Sequence, residues 1–159
     1  MRPINKLVIH HTAGSQSASI ADITRSHVAR GFVTIGYHYV LIKTPRGWTV
    51  QKGRPDAQIG SHAKNSNKGS IGVACSGNYE QLLPSADMLA LLVETLADLC
   101  LQYNIEPSRK TIQYHGELPT ASTLCCGKNL IAVIDVIVEL VQKYIDDFEE
   151  APKDIDDEV

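Results

Sequence analysis

Ser70-Ile71-Gly72-Val73-Ala74-Cys75, followed at once by Ser76-Gly77-Asn78, is an almost wholly apolar run of strand length closed by turn residues. A strand without a polar side suits the centre of a sheet covered on both faces. Downstream, Pro84-Ser85 opens a helix expected through Tyr103, because Met88, Leu91, Leu92, Leu96, Leu99 and Cys100 recur at helical spacing. Thr111 to Tyr114 reads as a last strand. The stripe Leu130, Val133, Ile134, Ile137, Leu140, Val141 and Tyr144 predicts a final helix to about Phe148.

Upstream, Lys6 to His10 is a short apolar strand, and Ser19 with Asp22 is a capping-box signature for a helix that runs to about Arg30 and stops at Gly31. Tyr37 to Lys43 and Trp48 to Lys52 read as the arms of a hairpin turned at Pro45-Arg46-Gly47. The order β-α-β-β-β-α-β-α predicts an α/β single domain, a central mixed β-sheet flanked by helices, over residues 1–148. Residues 149–159 are acidic and read as a disordered tail.

A chain of 159 residues suits one core. With 43% hydrophobic residues, 21% charged and a net charge of -3, its composition is that of an ordinary globular protein; no nucleic-acid partner is expected, and a monomer is the default. There is no apolar run long enough to cross a bilayer, so no membrane insertion is expected. Met1-Arg2-Pro3-Ile4 leads into a strand without the apolar region of a secretory signal, which predicts a cytoplasmic location in the producing cell.

The chemistry-bearing residues lie at the ends of these elements. Val8-Ile9-His10-His11-Thr12 closes the first strand, Gln113-Tyr114-His115 the last, and Thr123-Leu124-Cys125-Cys126-Gly127 follows. Two imidazoles and a thiolate are a ligand set for Zn²⁺ that leaves a fourth position open, as in a hydrolase rather than a structural site. Successive strand side chains face opposite ways, so one of His10 and His11 is expected to reach the metal; the residues alone leave the choice even. Cys75 and Cys100 read as core thiols, and a reduced Cys125 and Cys126 as more plausible than a disulfide between neighbours.

Val8 to Gly14, Ile35 to Tyr39, Gly60 to Lys64, Gly69 to Val73 and the final His/Cys segment stand in an order that resembles the zinc N-acetylmuramoyl-L-alanine amidases, the group that includes phage lysozyme-type amidases and peptidoglycan recognition proteins. The resemblance covers about positions 4 to 145. It implies a mixed sheet with helices, His10, His115 and Cys125 as zinc ligands, Tyr37 as the active-site tyrosine, and Thr123 where some members carry Lys. It also implies a substrate-lining segment with His62, Asn65 and Asn67. Arg54 is a further candidate for binding, balanced against a solvated loop arginine; His27 and His38 look structural.

Two departures stand out. Cys126 replaces the proline that usually follows the ligand cysteine, and the 71–75 strand has no carboxylate where some zinc amidases place a catalytic Glu. The resemblance implies hydrolysis of the amide between N-acetylmuramic acid and the L-alanine of the stem peptide, with peptidoglycan as partner, by an endolysin of phage or prophage origin that reaches the wall after release or delivery. The alternatives are a module that binds muropeptide without cutting it, and a cysteine amidase or peptidase using Cys125 with His115 as base.

Overall fold

The computed structural model describes residues 1–152, so most of the expected acidic tail lies outside the described residues. Five strands, β1 (Lys6–His11), β2 (Tyr39–Thr44), β3 (Gly47–Lys52), β4 (Ser70–Cys75) and β5 (Ile112–Tyr114), form one sheet in the order β3-β2-β4-β1-β5. β2 and β3 are the expected antiparallel hairpin, while β4 runs parallel to β1 and β2, and β5 parallel to β1. The sheet is mixed, with the apolar 70–75 run at its centre, as expected, and buried along its whole length.

Burial on both faces follows from the helices. α2 (Ala86–Tyr103) and α4 (Ile134–Glu150) share a core with Leu7, Ile9, Leu41, Ile71 and Val73. On the opposite face, Ile23 of α1 (Ile20–Ala29) joins Ile35, Val40, Ile42 and Ala74. The Ser19/Asp22 capping box forms as the sequence predicts, with both reciprocal bonds at 3.1 Å, and Ser85 caps α2 by accepting from the Met88 N–H. Such caps contribute about 1 kcal/mol each.

The final helix is not continuous. A short α3 (Lys128–Ile131) precedes α4, with Val133 at φ -112° and ψ 8° between them. α3 is tied to the loop after β4 through Lys128 N–H to Glu80 and Asn129 N–H to the Tyr79 carbonyl, so the chain bends to satisfy both that loop and the core. α4 also runs through Glu149 and Glu150, past the expected limit at 148. Among the described residues, no helix is long and apolar enough to cross a membrane.

Candidate metal centre

Strand alternation chooses between the two neighbouring histidines. Leu7 and Ile9 point into the core shared with α2 and α4, and His11 follows them. There its Nδ1 accepts the Tyr79 N–H at 3.1 Å. Val8 faces Ala63 and Leu118 on the other side, and His10 follows it to the same face. β5 pairs Val8 with Gln113 and Ile9 with Tyr114, so one more step along both parallel strands sets His115 beside His10; their ring centroids are 4.8 Å apart.

His115 opens a single 3-10 turn (His115–Glu117) braced from below: Glu117 accepts from the Tyr114 N–H and pairs with Arg109, which also bonds Asp135. Gly116 lets the cysteine loop approach. Its N–H donates to the Cys125 carbonyl at 2.7 Å, and a Cβ at 116 would stand 2.8 Å from that oxygen. The Sγ of Cys125 accepts from the His11 N–H at 3.3 Å and lies 3.6 Å from His10 Nδ1.

The ligand atoms of His10, His115 and Cys125 all lie within 4.8 Å of one another, so this cluster could hold a metal ion. The donor chemistry fits zinc, which takes imidazole nitrogen and thiolate sulfur in tetrahedral sites. Burial pushes His10 and His115 below the ordinary imidazole range, keeping both rings neutral and able to offer a lone pair. Burial also pushes the Cys125 thiol up to about 12 although the His11 N–H opposes this, so ion uptake there displaces a proton. Cys126 is not part of this cluster; none of its surface is exposed, and it belongs to the core that holds Tyr79 and Leu130.

A cavity of about 590 Å³ opens over the cluster. Tyr37 and Thr123 both line it. The Tyr37 ring sits 5.2 Å from that of His10, and burial, then the nearby Cys125, raises its phenol pKa, so the hydroxyl stays protonated as a donor. The strand expected from Tyr37 begins at Tyr39; Tyr37 lies on the approach to it, its carbonyl bonded by the Arg54 N–H. Thr123 Oγ1 accepts the Cys125 N–H at 3.2 Å, which leaves its own proton to donate.

The expected substrate-lining residues divide. Asn65 lines the cavity, its Nδ2 donating to Thr120 Oγ1. Asn67 also borders it, but its Oδ1 accepts the N–H groups of His62 and Ala63 and so holds the loop. His62 lines the cavity too, but is largely buried at 7% exposed, with Nδ1 2.8 Å from His10 Nε2. Arg54 is not among the lining residues: its guanidinium donates to the carbonyls of Ile35 and Ile59, stitching two loop segments together.

Arg30 and Phe32 also border the cavity, without a sequence pattern that would have singled them out, and Lys64, the last residue of the Gly60–Lys64 motif, borders it beside them. His27 borders the cavity too, but its Nδ1 accepts the Gly36 N–H and its ring packs on Tyr37 and Phe32. His38 is buried, its Nδ1 accepting the Gly72 N–H, in keeping with a structural part. Every residue of β4 is buried and none is a carboxylate.

Comparison with known proteins bears on this site. A family model described as N-acetylmuramoyl-L-alanine amidase matches residues 1–128. Peptidoglycan-recognition protein SD of Drosophila simulans is 31% identical over 142 residues, spanning 83% of this chain and 72% of that protein. The endolysin of Escherichia phage T7 is 36% identical over 69 residues, 43% of this chain and 44% of the endolysin. The solved structure of the N-acetylmuramoyl-L-alanine amidase LysC from Clostridium intestinale URNW aligns with a TM-score of 0.74 at 27% identity, covering 87% of each chain.

Proposed function

The chain belongs to the N-acetylmuramoyl-L-alanine amidase family, and from that premise we propose that it is a zinc-dependent amidase cutting the bond between N-acetylmuramic acid and the L-alanine of the peptidoglycan stem peptide. The observation that carries this reading is the convergence of His10, His115 and Cys125 at the floor of an open cavity. Zinc held by these three supplies Lewis acidity toward the amide carbonyl and makes water nucleophilic near neutral pH.

The protein's own groups do the rest. Tyr37 donates its hydroxyl proton toward the oxygen that gains negative charge as water adds to the lactyl carbonyl. Thr123, its Oγ1 already holding the Cys125 N–H, turns its one proton toward substrate or water. The C–N bond then breaks, and the alanine nitrogen leaves as an amine with the proton taken from water. Asn65 and the cationic rim of Arg30 and Lys64 suit a stem peptide bearing carboxylates. An endolysin setting accords with the phage relative.

A module that binds muropeptide without cleaving it is the second reading, favoured by the likeness to a peptidoglycan-recognition protein. A Cys125 nucleophile is less well supported. Its 3.6 Å imidazole contact is with His10 rather than His115, and burial raises the thiol pKa, opposite to the activation a thiolate nucleophile needs. The readings separate when new amino groups released from purified peptidoglycan are counted with zinc, with chelator and after alkylation. Release that chelation stops and zinc restores supports the metalloenzyme. Absence of release with bound polymer supports the module, and release that survives chelation but not alkylation supports the thiol.

A further inference from the structure

His62 is polar, buried and in contact with a metal-binding imidazole, and the proposed chemistry does not use it. Its hydrogen bonds have a direction that can be worked out from the far end. Ser70 Oγ lies 2.8 Å from the Ser66 carbonyl, 3.1 Å from the Asn67 carbonyl and 3.2 Å from His62 Nε2. Both carbonyls can only accept, so the single hydroxyl proton of Ser70 goes to them. Ser70 must then accept from His62, which places the imidazole proton on Nε2 and leaves Nδ1 bare.

That bare Nδ1 stands 2.8 Å from His10 Nε2, which must donate to it. His10 in turn is left with an unprotonated Nδ1, the nitrogen 3.6 Å from the sulfur of Cys125. The opposite arrangement, with the proton on His62 Nδ1, would force the His10 proton onto Nδ1 and close that lone pair to any ion. The polarity imposed at Ser70 is therefore the one that a metal ligand at His10 Nδ1 requires.

The surroundings fix the ring in this place. A Cβ at Gly72 would stand 2.6 Å from the His62 ring and one at Gly60 2.5 Å from it, so both glycines are close-approach positions. Asn67 Oδ1 grips the His62 N–H at 2.9 Å. The loop carrying His62, Asn65 and Asn67, which the resemblance implies to line the substrate site, and the start of β4 at Ser70 and Gly72 thus converge on His10 from behind.

We propose that His62, polarised by Ser70, is a positioning residue that sets the tautomer and orientation of His10 and so tightens the binding of zinc at His10, His115 and Cys125. The inference rests on the zinc reading above.

The test measures zinc affinity by competition with a chromophoric chelator for the wild-type protein, His62→Leu and His62→Gln. Leucine fills similar space but accepts no hydrogen bond, whereas the glutamine carbonyl can accept from His10 Nε2–H. Affinity is expected to fall about 10- to 100-fold in His62→Leu and to recover largely in His62→Gln. Nitrogen-15 NMR of the zinc-loaded wild type needs no variant: the proton should sit on Nε2 of both His10 and His62. Undiminished affinity in a folded His62→Leu, or a proton on His62 Nδ1, overturns the inference while leaving the zinc reading intact. Failure of the wild type to take up zinc overturns both.

Discussion

The Sγ of Cys125 lies 3.6 Å from Nδ1 of His10, although 115 positions separate the two residues. The contact exists because β1 ends beneath the loop that Gly116 draws in, and the neighbouring Cys126 belongs to the core instead. Cys125→Ser is therefore expected to abolish zinc binding and activity. Cys126→Ser should keep both while losing about 1 to 3 kcal/mol of stability, since it buries a hydroxyl. Metal analysis of both purified variants, with urea unfolding, checks this; full zinc occupancy in Cys125→Ser would remove Cys125 from the ligand set.

Tyr37→Phe is expected to fold and bind zinc as the parent does and to lose roughly 10² to 10³ in kcat, the usual cost of deleting one oxyanion donor. The ring packing on His10 and His27 survives in phenylalanine, so a rate loss isolates the hydroxyl. Unchanged turnover would reduce Tyr37 to packing.

Gly72→Ala should disturb the His62 ring and, through it, His10. The added methyl meets the ring at 2.6 Å, an overlap that neither central β4 nor the buried imidazole can relieve cheaply. A loss of roughly 1 to 3 kcal/mol in unfolding free energy is expected, with weaker zinc binding alongside. A variant matching the parent in both would mean that the ring has room to move.

The metal-free protein should be sensitive to mild acid. Burial holds all six histidines below the ordinary range, His38 at about 4 and His62 at about 3. A histidine whose folded pKa is depressed stays neutral while the unfolded chain takes up its proton. Stability is thus complete above about pH 6.5 and falls as pH drops toward the folded values. His38 alone accounts for up to about 3 kcal/mol over that window, at roughly 1.4 kcal/mol per unit. Urea midpoints should decline steadily from pH 7 to 5, and a flat profile would contradict the buried neutral rings.

Much of this was legible in the sequence because it is local. The apolar run at 70–75, the helical stripe at 88–100 and the Ser19/Asp22 box each announce an element within a few residues, and each element formed. The choice of His10 over His11 needed the register of β1, which sequence alternation left open and which the facing cores resolve. The resemblance places His62 in a substrate-lining segment, and it does border the cavity, but its link to His10 is not written in that motif. Its contact with His10 spans 52 positions and depends on two glycines without Cβ atoms, a packing fact with no periodic signature. The break before α4 was hidden for a similar reason: Leu130, Val133 and Ile134 keep helical spacing across it, while the tie of α3 to Tyr79 and Glu80 is tertiary.

The most direct test of the central claim is mass spectrometry of defined muropeptides after incubation with zinc-loaded protein, beside a chelated sample. The expected products are the intact lactyl-bearing sugar and a stem peptide with a free L-alanine amino terminus, absent after chelation and restored by zinc. Muropeptides left whole in both samples, or cut at a different bond, would contradict the assignment of this site to muramoyl-alanine hydrolysis.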